Sequence, residues 1–300
     1  LTHLSYLLGV DKDLLKGIVF RNERFYRNVV GFIDCGGVRK IDSPYPKLQY
    51  IQKWVKTHIL ETLPISRSAY AYVKGHSHIV HAKKHIGAKE IYKADINNFF
   101  SNISFLKVRN VFITAGYSHK ISHQLAKICT IYGRLPQGAP SSPILSNIIL
   151  YDMDRELKRL AVAHGCVYTR YSDDLCFSGD SITTELIDSI QKALLVNDFT
   201  LNDNKSKRVS GSSRKIITGL VINNDGLRVP KKIRREYRKK AHYLIKNGIK
   251  EFDGCRCELD PLYIDSVIGA GAYILQVEPD NEYVKSTMSI LIKLKKGLFI

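Results

Sequence analysis

Two adjacent aspartates between two strand-forming flanks restrict this chain more than any other feature. Cys166-Val167-Tyr168-Thr169-Arg170-Tyr171 leads into Ser172-Asp173-Asp174, and Leu175-Cys176-Phe177 follows. Both flanks are rich in β-branched and aromatic residues. Aspartate tolerates turn geometry, so the segment reads as a hairpin with two carboxylates at its tip. Those carboxylates repel each other. A fold that brings them near a third must neutralise them, and a hard divalent cation does so through carboxylate oxygen.

Asp95 is the natural third group. It ends the short strand pattern Ile91-Tyr92-Lys93-Ala94 and precedes Asn97-Asn98-Phe99-Phe100. A sheet that sets the strand end at 95 beside the hairpin tip gathers three carboxylates. Such a set suits two metal ions and in-line phosphoryl transfer. The expected ligand set is Asp95, Ile96, Asp173 and Asp174, with Mg²⁺ as the metal and Mn²⁺ as a substitute.

The order of elements in 90–222 is strand, helix, strand pair, helix, strand, which suits a split βαβ sheet in an α+β fold. Two helices fill 105–132 and part near Gly116. Ser141-Ser142-Pro143 starts a helix that runs to about Ala163, with a capping hydroxyl and proline in its first turn. Before residue 90, residues 1–30 read as helical and 28–45 as two short strands around Gly36-Gly37. Leu48 to Leu63 is an amphipathic helix stopped by Pro64. Residues 206–222 are strand-rich.

Charge bears on the partner. Lys and Arg total 46 against 28 Asp and Glu, a net charge of +18 in 300 residues. A protein this basic attracts polyanions, nucleic acid above all. The segment 226–250 holds ten Lys and Arg and one Glu, and reads as a basic helix covered by charge over most of its circumference. No apolar run reaches the length of a bilayer span. Leu1–Val10 is short and lacks a basic leader, so no signal peptide is expected. Cys255 and Cys257 form an isolated Cys-x-Cys, a weak metal signal, and reduced thiols are expected. His76, His78, His81 and His85 do not give a four-ligand zinc spacing.

Three motifs together carry a resemblance. Leu135-Pro136-Gln137-Gly138-Ala139-Pro140-Ser141-Ser142-Pro143 is similar to the loop-helix of reverse transcriptases. Tyr171-Ser172-Asp173-Asp174 is similar to their Tyr-x-Asp-Asp box, and Asp95 to Phe100 to their first metal-binding strand. Gly36 to Ile41 resembles the fingers hairpin, Asn202-Asp203-Asn204-Lys205 a palm motif, and Ile217-Thr218-Gly219-Leu220 the primer-grip hairpin. Within the family, His81-Ala82-Lys83-Lys84-His85 and Ile217-Thr218-Gly219 resemble two elements of bacterial retron enzymes, with His81 in place of Asn and Ile217 in place of Val.

The resemblance implies a right-hand polymerase: N-terminal helices and fingers in 1–89, palm in 90–225 with finger helices around 105–135, and a helical thumb in 226–300. It implies catalysis by Asp95, Asp173 and Asp174, and nucleotide binding by Arg39, Lys40, Phe100, Gln137 and Lys205. Phe100 would be the steric gate against a ribose 2′-hydroxyl, and Lys205 would stand near the departing pyrophosphate. Nucleic acid would be held by Lys74, His85, Lys231, Lys232, Arg234, Arg235, Arg238 and Lys239. The implied partners are deoxynucleoside triphosphates, a cognate structured noncoding RNA of the msr-msd type, its branched RNA–DNA product (msDNA) and an effector protein. A cytoplasmic anti-phage role goes with these. Two other readings stay open: a group II intron-like reverse transcriptase, and a non-catalytic RNA-binding protein on the same scaffold.

Overall fold

The computed structural model describes residues 2–32, 38–211, 213–248 and 262–296; the side chains of Phe32, Val38 and Arg39 also lie outside the described ones. The Gly36-Gly37 turn, Cys35, Cys255 and Cys257 therefore lie outside the described residues. The chain forms two compact units, residues 1–78 with 89–210 and residues 79–88 with 211–300. Residues 79–88 join the second unit across a long stretch of sequence, which no local pattern signals.

The first unit opens with α1 (Thr2–Leu8) and α2 (Lys12–Phe20), the latter capped by the Asp11 carboxylate on the N–H groups of Asp13 and Leu14. The hairpin of β1 (Tyr26–Phe32) and β2 (Val38–Pro44) follows, then α3 (Pro46–His58). The strands run longer than expected, starting at Tyr26 within the stretch read as helical. The short helix α4 (His78–Lys83) leads across to the other unit, and β3 (Glu90–Asp95) returns.

Next come α5 (Phe105–Thr114), α6 (His119–Cys129), α7 (Ser142–Ile149) and α8 (Tyr151–Ala163), then the hairpin β4 (Val167–Tyr171) and β5 (Asp174–Gly179), α9 (Thr184–Val196) and β6 (Lys207–Val209). Gly116 divides α5 from α6 at φ +92°. The single helix expected over 142–163 is two, interrupted at Leu150. Pro143 sits in the first turn of α7, but Ser141 makes no side-chain cap.

The sheet order is β4-β5-β3-β6, antiparallel throughout. β3 and β4 thus run parallel with β5 between them, the split βαβ arrangement. One face is core: Tyr92, Phe177 and Tyr168 lie side by side in register, with Tyr168 stacked on Phe177 at 4.7 Å between ring centroids. They join one hydrophobic core with α2, α3 and α5–α9.

The second unit holds β7 (Lys215–Ile217), β8 (Leu220–Ile222), β9 (Leu227–Arg228), α10 (Lys231–Asn247), α11 (Tyr263–Val277) and α12 (Glu282–Lys296). β6 pairs with β3 whereas β7 pairs with β8, so the strand-rich stretch 206–222 is divided between two sheets. Thr218 and Gly219 close the β7–β8 hairpin with φ +44° and +83°, the two positive values of a type I′ turn. Among the described residues no helix is long and apolar enough to cross a membrane.

Candidate active site

Register builds the site. β3 and β5 pair Asp95 with Asp174, and β4 and β5 pair Tyr171 with Asp174. Side chains alternate across a strand, so these three face the side opposite the aromatic core layer. The turn joining β4 to β5 is Ser172-Asp173. Ser172 takes φ +61°, a left-handed value at the first loop position, as type II′ turns require. Such a value in a non-glycine residue is strained and persists only under surrounding support. The N–H of Ile96 donates to the Asp173 carbonyl at 3.0 Å, and that of Asn202 to the Asp95 carbonyl at 2.8 Å. These bonds tie the strand end, the turn and the loop after α9 together.

The electrostatics are those of a site short of positive charge. Burial pushes the Asp174 carboxyl up to about 6, and the carboxylates of Asp173 and Asp95 add to the rise. Lys93 and Lys205 offset part of it. Asp174 is open to water on one side, which tempers the shift without changing its direction. Burial and Asp95 also raise Asp173, against the pull of Lys205. Asp95 is buried, and its Oδ2 lies 3.3 Å from Lys205 Nζ.

Hard carboxylate oxygens crowded into mutual repulsion fit a divalent cation. Among the described residues no group of three or more His, Cys, Asp or Glu side chains is placed to hold a metal ion by itself. Asp95 instead faces the ammonium of Lys205. The side chain of Ile96 is buried and carries no donor atom, so only its carbonyl oxygen could serve a metal.

A cavity of about 400 Å³ opens beside the turn. It brings together Lys40, Asp95, Ile96, Phe100, Gln137, Asp173 and Lys205 from five separate stretches of sequence. Of the two neighbouring phenylalanines, Phe99 is core at 4% exposure, and Phe100 is half-buried against it, edge to face at 5.1 Å. Gln137 is fixed by its carbonyl, which accepts from the Asp42 N–H at 2.9 Å. At Gly138, φ is +131° and a Cβ would lie 2.7 Å from Ile41 and 2.8 Å from the Asp42 carbonyl, so only glycine lets this loop approach β2. The side chain of Arg39 lies outside the described residues.

The remaining expected nucleic-acid residues are dispersed. Lys74 is exposed in the loop before α4. His85 is a correction: it is 1% exposed and burial pushes its pKa down to about 4, so it is a neutral packed ring without charge for a phosphate. On α10 the charge does not surround the helix. Tyr237, Ala241 and Leu244 bury one face, leaving Lys231, Lys232, Arg235, Arg238 and Lys239 exposed on the rest. Arg234 is half-buried, with its NH1 4.0 Å from Glu278 Oε2.

Sequence reasoning missed several residues of the site. Tyr72 lines the cavity with φ +63°, and its hydroxyl lies 2.9 Å from Ser172 Oγ. Asn97, Asn98, Ser101 and Asn202 line it too. Behind the turn stands a fully buried pair, Arg170 and Asp154. Its one sequence signal was an arginine at a core-facing position of a strand.

A model of the reverse transcriptase (RNA-dependent DNA polymerase) family matches residues 28–245. The Retron Ec86 reverse transcriptase of Escherichia coli is 33% identical over 261 residues, covering 86% of this chain and 77% of that protein. The Retron Mx65 reverse transcriptase of Myxococcus xanthus is 29% identical over 298 residues, covering 91% and 67%. The Retron Mx162 reverse transcriptase of the same organism is 29% identical over 242 residues, 69% of this chain and 50% of that protein, so this chain spans half of its length.

Proposed function

The chain belongs to the reverse transcriptase family, and within it to the bacterial retron enzymes; on that premise we propose that Asp95, Asp173 and Asp174 are the metal-binding carboxylates of its polymerase site. Membership makes it an RNA-directed DNA polymerase of a retron with an α+β, right-hand polymerase fold. The observation that carries the proposal is the pairing of Asp95 with Asp174, with Asp173 in the adjoining turn, at the rim of a cavity lined by Lys40, Phe100, Gln137 and Lys205.

Asp95, Asp173, Asp174 and the Ile96 carbonyl would hold two divalent ions, Mg²⁺ or in its place Mn²⁺. When bound, these neutralise phosphate charge and lower the pKa of the attacking hydroxyl. The chain's own residues do the rest. Lys40, with Arg39 by resemblance, offers cationic hydrogen bonds to the triphosphate of an incoming deoxynucleotide. The Phe100 ring fills the space a ribose 2′-hydroxyl needs, and its backing by the core residue Phe99 keeps it from yielding. Gln137, locked by its carbonyl, faces the nucleotide. Lys205 is largely exposed and poised to leave Asp95 for the departing pyrophosphate.

The palm is the sheet of β3 to β6, and the thumb lies in 226–300. The exposed basic face of α10 and Lys74 would hold RNA and the RNA–DNA duplex by phosphates and 2′-hydroxyls, a reading of shape rather than sequence. By resemblance to retron enzymes, a cognate msr-msd RNA would serve as template and primer, with synthesis from a guanosine 2′-hydroxyl to a branched msDNA. The same resemblance implies a cytoplasmic role in anti-phage defence alongside an effector protein.

Primer extension tests the proposal, with an RNA template, a DNA primer, the four deoxynucleotides and Mg²⁺. Wild-type protein extends the primer, and Asp173→Asn with Asp174→Asn does not while keeping RNA affinity within a few fold. Full extension by the double variant would remove these carboxylates from catalysis.

A further inference from the structure

Arg170 stands where an apolar residue belongs. In β4 it precedes Tyr171, so it points to the core face, in register with Leu175 and, through that strand, with Ala94. It is fully buried, as is Asp154 on α8. A buried guanidinium is tolerable only when its donors are satisfied. Nε donates to Asp154 Oδ1 at 2.9 Å and NH2 to Oδ2 at 2.8 Å, a bidentate pair. NH1 donates to Asn147 Oδ1 and to the Ser172 carbonyl, each at 3.1 Å. The Tyr168 hydroxyl adds a bond to Asp154 Oδ1 at 2.7 Å.

Packing alone does not call for such a pair. Replacing a buried ion pair with apolar residues of similar volume is often neutral or stabilising. What an apolar layer cannot supply is a donor aimed at the carbonyl of Ser172, in the turn that carries Asp173. The main chain of Arg170 clamps a second loop: its N–H donates to the Ser68 carbonyl at 2.7 Å, and its carbonyl accepts from the Tyr70 N–H at 2.8 Å. Asn147 Nδ2 donates to the Ala71 carbonyl at 2.9 Å in the same loop. That loop delivers Tyr72 to Ser172 Oγ. Ser172 is thus gripped at its carbonyl from the core and at its hydroxyl from the cavity. Both Ser172 and Tyr72 hold left-handed backbone values, which need such support.

We infer that Arg170 and Tyr72 are positioning residues, a two-sided clamp that holds the strained Ser172–Asp173 turn so that Asp173 and Asp174 face Asp95. The inference rests on the reading of those aspartates as metal ligands. Arg170 touches neither substrate nor metal; it acts through the turn, with Asp154 and Asn147 fixing its guanidinium.

The test compares four proteins: wild type, Arg170→Met with Asp154→Leu, Tyr72→Phe, and Asp173→Asn with Asp174→Asn. The first double variant removes both charges, so neither is stranded in the core. Three readouts are taken on each: thermal unfolding, Mn²⁺ affinity of the protein alone by electron paramagnetic resonance, and kcat and KM in primer extension. The clamp predicts that Arg170→Met with Asp154→Leu folds, binds Mn²⁺ roughly tenfold or more weakly and loses about 100-fold in kcat, with KM for template–primer unchanged. Tyr72→Phe loses roughly 3- to 10-fold in kcat and in Mn²⁺ affinity.

A folded Arg170→Met, Asp154→Leu protein with wild-type Mn²⁺ affinity and kcat overturns the inference. If that variant does not fold, Tyr72→Phe decides, because it deletes one hydroxyl from a half-exposed side chain; wild-type Mn²⁺ affinity and kcat there overturn the clamp. The aspartate double variant separates the two levels. Its retention of synthesis defeats the metal-site reading, whereas its inactivity beside a fully active Arg170→Met, Asp154→Leu protein defeats the clamp alone.

Discussion

The two compact units use charge in opposite ways. In the first, Asp95 pairs with Asp174 across two strands, Asp173 stands in the adjoining turn and a buried ion pair lies behind them, so the arrangement depends on the register of a few residues. In the second, Lys231, Lys232, Arg235, Arg238 and Lys239 spread along an exposed helix face, and none depends on its neighbour's exact position. Chemistry at a bond needs fixed geometry. Grip on a polyanion needs only charge density within reach of phosphates. The first arrangement should fail at a single substitution, and the second should fade by increments.

The largest effect is expected at Asp95. Asp95→Asn should lower primer extension by at least about 10³-fold with unfolding temperature close to wild type. A loss below tenfold would mean that the convergent site is not the catalytic one. Next is Asp154→Leu alone, which strands the Arg170 guanidinium in the core. It should cost about 3–5 kcal/mol, seen as a fall of roughly 10 °C in unfolding temperature. Adding Arg170→Met should restore most of that. Equal stability of the single and double variants would show that the pair is not coupled.

A pH scan comes third and bears on the second unit. The His85 pKa is about 4 when folded and about 6.5 in an unfolded chain. The unfolded state therefore binds the extra proton between those values, and stability falls as pH drops from about 6.5 toward 4. The full loss is about 3 kcal/mol. Calorimetry should show this acid loss in wild type and a flatter profile in His85→Leu; parallel profiles would discount the buried neutral imidazole.

The smallest effects lie on α10. Replacing its five exposed cations with Gln should weaken RNA binding by roughly tenfold or more, and flatten the salt dependence by about 0.9 in log–log slope per lost contact. Arg234→Gln, which removes a group turned toward Glu278, should change affinity by less than about twofold. An Arg234 effect of about threefold or more would erase the distinction between inner and outer faces of the helix.

Much of the first unit could be read from its residues. Alternation around Ser172-Asp173-Asp174 marked the hairpin, and the same period placed Asp95 at a strand end. Other features left no local trace. The break at Leu150 sits inside one continuous helical pattern. The partnership of Arg170 with Asp154 depends on α8 crossing the core face of β4, which is a matter of tertiary packing. The joining of 79–88 to 211–300 depends on contacts across more than a hundred residues. On α10, counting cations showed charge but not which face the apolar residues Tyr237, Ala241 and Leu244 would bury. His85 shows the same limit: the resemblance implied a nucleic-acid contact, whereas its burial makes it part of the packing.

The most direct measurement sets the two arrangements side by side. Single-turnover nucleotide incorporation at saturating RNA, and RNA affinity by filter binding, would be taken for Asp173→Asn with Asp174→Asn and for the fivefold Gln variant of α10. The account predicts that the first loses incorporation with RNA affinity within a few fold, and that the second loses affinity with an incorporation rate near wild type. Loss of RNA binding by the aspartate variant, or loss of the saturated rate by the α10 variant, would contradict the separation of chemistry from grip.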